Sequence, residues 1–277
     1  MIDLSIWGAV FLVFFGAMVG VLGSVMGVGG GVFIVPLLVL VFNLPIQNAI
    51  AVSLISIIAT SSSVASVNVE KGLANVRLGI ILETTMAAGS IVGALLMSSL
   101  PARTVSLFFS IFLFPVALSM YLKSARPARE ETILFSGKES MGGSFFDPAT
   151  GKNISYKAQK TSLAMVFSFF AGALSGLLGL GGGIIQVPVM NMLCSIPIKA
   201  AAATSNFMIG VSAAASALIF YKKGYVIPEI TVYVCAGTLL GSMLGMKLLY
   251  RSKSEKIQAL FSILVFIVGI RMLFKSL

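Results

Sequence analysis

Two glycine triplets, Gly29-Gly30-Gly31 and Gly181-Gly182-Gly183, are the residues in this 277-residue chain best suited to holding a charged solute. The first leads into Val32-Phe33-Ile34-Val35-Pro36 and the second into Ile184-Ile185-Gln186-Val187-Pro188. Each triplet therefore precedes a short apolar segment that reads as a helix. A helix start presents N–H groups with no intrahelical partner and the positive end of the backbone dipole, which together favour an anion. Two such starts facing each other would hold a small oxyanion without a charged side chain. A lone triplet is better explained by close helix packing. A duplicated one, each copy followed by a half-length segment with Pro at the same position, points to binding.

Four polar side chains join the triplets as candidate substrate-binding residues. Ser53 and Ser205 occupy matching positions after the two short segments, and Gln186 and Asn206 lie close to the second triplet in sequence. The two amides could donate to an oxyanion. The competing reading makes all four packing residues, since Ser in a membrane helix can bond back to its own backbone. Glu83 is the one acid well inside an apolar run. An intramembrane acid is functional by default, so Glu83 is the candidate for taking up a proton and coupling transport to a proton gradient. The alternative is a neutral or hydrogen-bonded Glu near the interface. The chain has no His, and no pair of carboxylates falls inside an apolar run. Most metal sites, hydrolytic triads and the usual general base are thereby removed, and neither a catalytic residue nor a cofactor is expected.

The elements that position these residues are membrane helices. Hydrophobic residues make up 58% of the chain and charged residues only 10%, well under the quarter usual in soluble domains. Runs of about 20 apolar residues are long enough to span a bilayer. Eight occur: Ile6–Val25, Ala49–Val69, Leu78–Leu100, Thr104–Leu122, Ser162–Leu180, Ala200–Tyr221, Thr231–Leu249 and Ile257–Phe274. Val32–Phe42 and Ile184–Cys194 are half that length. Each carries its Pro near the start, where a first helical turn would tolerate the missing N–H. The first run lacks a basic leading region and reads as a retained helix rather than a signal peptide. The net charge of +10 comes from Lys and Arg scattered over short loops. That pattern fits membrane orientation and a lipid bilayer partner, and it speaks against nucleic acid. Cys194 and Cys235 read as buried structural thiols.

Compared with itself, the chain is a duplication. An offset of 152 positions maps the first triplet and its Val-Pro onto the second. The same offset maps Pro45-Ile46 onto Pro197-Ile198, Lys71-Gly72 onto Lys223-Gly224, and Gly89-Ser90 with Gly93 onto Gly241-Ser242 with Gly245. From residue 28 to 94 no gap is needed, and roughly a quarter of positions are identical. Upstream, Gly16-Ala17 and Gly20 match Gly172-Ala173 and Gly176 only if four residues around Ser24–Gly27 are an insertion. The fold class that follows is an all-α integral membrane protein of two homologous repeats, each of about five hydrophobic segments. Residues 1–123 form the first repeat, 124–160 a central soluble loop, and 161–277 the second repeat. If all ten segments cross with the N-terminus outside, the cytoplasmic side collects 14 Lys and Arg against 5. If the short ones re-enter instead, the count is 13 against 6. The first count is the more polarised and makes the repeats inverted. Within the loop, Phe145-Phe146-Asp147-Pro148 through Tyr156 reads as a β-hairpin, with Asp-Pro opening the turn and Gly151 supplying positive φ. A lone hairpin is marginal in water, so it is expected to pack on the membrane domain.

Gly20-Val21-Leu22-Gly23, Gly27-Val28-Gly29-Gly30-Gly31 and Val35-Pro36, with Gly176-Leu177-Leu178-Gly179-Leu180-Gly181-Gly182-Gly183 and Val187-Pro188 in the second half, resemble the sulfite exporter TauE/SafE family of permeases. The resemblance covers essentially the whole membrane region. It implies secondary transport of a small sulfur-containing anion, such as sulfite, sulfoacetate or a related organosulfonate, across the cytoplasmic membrane. Transport of another small solute, or a membrane sensor or enzyme, are the alternatives. The shortage of His, Cys and acidic side chains disfavours a metal cation as cargo and an enzyme as function.

Overall fold

The computed structural model describes residues 6–27, 29–125, 141–147, 152–249 and 255–276. Each of the eight long apolar runs forms a helix, with Leu100 and Gly179-Leu180 falling just past the ends of theirs: α1 (Ile6–Met26), α3 (Ile46–Glu70), α4 (Val76–Ser99), α5 (Ala102–Ala125), α6 (Thr161–Leu178), α8 (Ile198–Lys222), α9 (Pro228–Leu249) and α10 (Glu255–Ser276). Two ten-residue helices, α2 (Gly31–Leu40) and α7 (Gly183–Met192), complete the set. Among the described residues, six helices are long and apolar enough to cross a membrane: those running within Ile6–Ser24, Ile46–Glu70, Val76–Ser99, Thr161–Leu178, Ile198–Lys222 and Pro228–Met246. At 1.5 Å per residue, α2 and α7 reach about 15 Å, half of the hydrocarbon core. Large apolar side chains such as Trp7, Phe14, Leu218 and Met243 point outward. A continuous outer shell of this kind belongs against lipid. The chain is a mostly helical membrane protein.

Helix pairs recur at the repeat offset. α1 lies along α9 as α6 lies along α4, while α3 packs on α8 and α5 on α10. Positive φ recurs as well: 73° at Gly27 and 69° at Gly179, 66° at Gly72 and 72° at Gly224, 51° at Asn43 and 56° at Ser195. Glycine makes the long contacts close. A Cβ on Gly89 would run into the Phe169 carbonyl, and one on Gly241 into that of Ala17. Gly172 abuts the Met86 carbonyl as Gly20 abuts that of Thr238.

These contacts correct the register expected upstream of the triplets. Gly20 is the spatial counterpart of Gly172, and α1 and α6 end at Met26 and Leu178, so the offset of 152 holds through both helices. No four-residue insertion is present. Small residues spaced four apart repeat once per helical turn, so a one-turn slip looks like a match in sequence. Pro36 and Pro188 are corrected too. Each is the sixth residue of its helix rather than part of the first turn. An interior Pro removes one hydrogen bond, here the one that the carbonyl of Val32 or Ile184 would have received.

β1 (Gly142–Asp147) and β2 (Lys152–Lys157) pair antiparallel, with Phe145 opposite Ile154 and Asp147 opposite Lys152. Pro148 and Gly151, assigned to the turn, lie outside the described residues. Phe145 and Tyr156 are buried and meet edge to face with ring centroids 6.4 Å apart. The hairpin's flanks touch two corners of the membrane domain. Asn75 Nδ2 donates to the Met141 carbonyl at 3.4 Å, and Gln159 N–H donates to that of Cys194 at 3.1 Å.

Candidate functional site

Each glycine triplet builds a helix start in the same way. Gly29 and Gly30 have φ of 80° and 83°, and Gly181 and Gly182 have 77° and 69°. Only glycine adopts such angles freely, and the helix begins at the next residue. The first intrahelical bonds run from Phe33 and Ile34 N–H to the Gly30 carbonyl, and from Ile185 and Gln186 N–H to that of Gly182. The N–H groups of Gly31 and Val32, and of Gly183 and Ile184, therefore precede the first bond of their helices.

The two starts are tied to each other's half. Ser53 Oγ, on α3, donates to the Gly179 carbonyl at 2.7 Å, and Ser205 Oγ, on α8, donates to that of Gly27 at 3.0 Å. A Cβ on Gly31 would strike the Gly179 carbonyl, and one on Gly183 would strike that of Gly27. Both serines are fully buried. Asn206 Nδ2 donates to the Ser24 carbonyl at 3.2 Å, and the Asn206 backbone carbonyl accepts from Ser61 Oγ. The hydrogens of Ser53 and Ser205 are thus directed at loop carbonyls.

Gln186 is different. Its amide lies 3.1 Å from Ser168 Oγ, whose hydroxyl hydrogen is also directed at the Ala164 carbonyl at 2.7 Å, and its Nε2 has no hydrogen-bond partner although the residue is 0% exposed. Ser175 Oγ is likewise buried and unpartnered, and its Cβ lies 3.3 Å from where a Cβ on Gly182 would stand. Glu83 is also buried. The backbone of Ser212 on α8 faces it, yet neither carboxylate oxygen meets a hydrogen-bond partner. Met86, one turn further along α4, places its methyl over Gly182. Among the described residues, four of the five unpartnered buried side-chain atoms belong to Gln186, Ser175 and Glu83.

The triplets, Ser53, Ser205, Asn206 and Gln186 thus converge on α2, α3, α7, α8 and their loops. Glu83 stands on α4, against α8. Ser168 and Ser175 were missed in the sequence because their counterparts at the repeat offset are Gly16 and Gly23, so neither shows as a repeated polar position. Gly27 and Gly179 were visible only as members of Gly-rich runs.

The family model described as "Sulfite exporter TauE/SafE" matches residues 12–272. The chain is 29% identical over 276 residues to the "Probable membrane transporter protein YunE" of Bacillus subtilis, covering 97% of this chain and 98% of the relative. It is 28% identical over 232 residues to the "Probable membrane transporter protein YdhB" of the same organism, covering 83% of this chain and 86% of the relative. A shorter stretch of 103 residues is 37% identical to the Arabidopsis thaliana "Sulfite exporter TauE/SafE family protein 5", covering 37% of this chain and 22% of that one. No solved structure gives a significant match. The matched span takes in both glycine triplets and the helices that carry them, and the chain, a multi-pass membrane protein, belongs to the sulfite exporter TauE/SafE family.

Proposed function

We propose that the protein is a secondary transporter, not an enzyme, and that it moves a small anion such as sulfite or an organosulfonate across the cell membrane. The anion is held between the starts of α2 and α7, by Gly29–Gly31 and Gly181–Gly183 with the Gln186 amide. Ser53, Ser205 and Asn206 hold the two loops in place around it. The observation that carries this reading is the pair of half-length helices, each starting at buried glycines with positive φ. Non-helical backbone at membrane depth is tolerated only inside protein or beside a water-filled cavity, and paired broken segments are the usual pointer to a transporter's site. Residues 1–123 and 161–277 act as two inverted repeats joined by 124–160, an arrangement supported by the recurrence of helix pairs and by the 14-to-5 distribution of Lys and Arg.

A thermal-shift screen of the detergent-solubilised protein tests the reading directly. A ligand at about 100 times its Kd raises apparent stability by about 2.7 kcal/mol. Sulfite or a sulfonate is expected to stabilise, and acetate to do so less. The same anions are expected to enter proteoliposomes faster than protein-free vesicles. No shift and no uptake for any of them would sink the proposal.

A further inference from the structure

The two helix starts share a backbone but not a lining. Before α2, the places equivalent to Ser168, Ser175 and Gln186 hold Gly16, Gly23 and Ile34, and the place equivalent to Glu83 holds Cys235. Val19 also fills the space in front of Gly30, where a Cβ would collide with its methyl. Met86 covers Gly182 in the same way, but no unpartnered buried side chain among the described residues belongs to these places at the start of α2. The start of α7 carries the unpartnered Nε2 of Gln186 and Oγ of Ser175, with the unpartnered Glu83 carboxyl one turn from the Met86 that covers Gly182. We infer that Gln186, Ser175 and Glu83 line one buried pocket at the start of α7, and that this pocket takes an oxyanion together with one proton. The inference rests on the anion-permease reading and assigns its working site to one half.

The chemistry follows from which atoms lack partners. Ser168 Oγ also directs its one hydrogen at the Ala164 carbonyl, at 2.7 Å, so the Gln186 amide meets it on one side only and keeps at least one N–H for a ligand. The Ser175 hydroxyl adds another donor, and the N–H groups of Gly183 and Ile184 stand ahead of the first helical bond. These donors suit an anion's oxygens. Glu83 offers only acceptors while ionised, and a carboxylate beside an anion in a dry site is repelled. One shared proton removes the repulsion: the Glu83 O–H donates to an anion oxygen, or the Glu83 O–H bond breaks as an O–H bond forms on the anion, whose O–H then donates to the carboxylate. Among the described residues, the helices packed on α4 bring no other ionisable group to this level. α6 has none, α3 has Glu70 as its last residue, α8 has Lys199, Tyr221 and Lys222 near its ends, and α4's own Arg77 is in its first turn. A monovalent anion that moves with one proton moves no net charge.

The test uses the full chain in liposomes with methanesulfonate, which stays ionised so that any pH response belongs to the protein, and with sulfite. Uptake into protein-free vesicles is subtracted. With voltage clamped, one pH unit of gradient is expected to change accumulation about tenfold, whereas voltage without a pH gradient changes nothing. Accumulation that follows voltage and ignores pH overturns the proposal, and this wild-type comparison needs no variant to fold. Glu83→Gln is expected to abolish the pH response, and its retention overturns the proposal as well. Gln186→Leu is expected to weaken anion affinity at least tenfold while leaving the pH response intact. If no anion moves under any gradient, the permease reading falls. The pocket is then decided by infrared difference spectra with and without methanesulfonate: a carboxyl change present in wild type and missing in Glu83→Gln upholds it, and no carboxyl change overturns it.

Discussion

Ser53 donates its hydroxyl hydrogen to the carbonyl of Gly179, 126 residues further along the chain, and Ser205 returns the same bond to Gly27. The two bonds are related by the repeat offset and cross from half to half. Each holds a left-handed glycine at the mouth of the other half's short helix.

Replacing Ser53 by Ala leaves the Gly179 carbonyl buried without its donor. An unsatisfied buried acceptor costs about 1–3 kcal/mol. Thermal unfolding in detergent is expected to show a loss in that range for Ser53→Ala and for Ser205→Ala. The double change should lose about the sum, because the two bonds share no atoms.

The glycines separate into two classes. Gly31→Ala and Gly183→Ala would drive a methyl into a backbone carbonyl that cannot move aside, so both variants are expected to lose folded protein in the membrane fraction. Gly72→Ala and Gly224→Ala meet nothing within 4 Å. They bear only the positive-φ penalty, about 1 kcal/mol, and should express and transport normally. Fluorescence-detected size exclusion distinguishes the two outcomes.

Much of this was legible beforehand, and the reasons differ by element. The long helices follow from apolar runs whose length leaves no alternative. Ser53 and Ser205 stood out because they repeat. The upstream register was misread because Gly16, Gly20, Gly172 and Gly176 mark one helical face, and such a face looks the same after a slip of one turn. The position of Pro36 depended on where the helix begins, which is set by the φ of Gly30 and is silent in sequence. Ser168 and Ser175 acquire meaning only when α6 is laid beside α7.

Tyr156 anchors the hairpin. Burial pushes its phenol above the ordinary value of 10.0, and a hydrogen bond with the Asn75 side chain partly offsets that shift. A folded value above the unfolded one means stability is intact below about pH 10 and is lost as pH rises through the folded value. Unfolding midpoints of wild type and Tyr156→Phe should therefore diverge only above that point, with the wild type falling faster. At neutral pH the Phe variant is expected to lie within about 1 kcal/mol of wild type, while Tyr156→Ala loses about 3–5 kcal/mol.

Lys275 closes the far end of α2, donating to the Val39 carbonyl at 2.6 Å and to Asn43 Oδ1 at 2.7 Å. A cation at a helix C-terminus contributes about 0.3–1 kcal/mol where solvent reaches it. Lys275→Ala should lower thermal stability by that little, and Lys275→Gln should recover part of it by keeping a donor.

The crossed bonds between Ser53 and Gly179 and between Ser205 and Gly27 also bear on ancestry and assembly. Two separate copies of a single repeat, meeting about an isologous two-fold axis, would make these same bonds between subunits. The covalent link then fixes stoichiometry rather than creating the contact. During synthesis the first half waits for the second, since the carbonyl that Ser53 holds is not yet made. A gene split between codons 130 and 140, expressed as two polypeptides, is expected to yield halves that copurify.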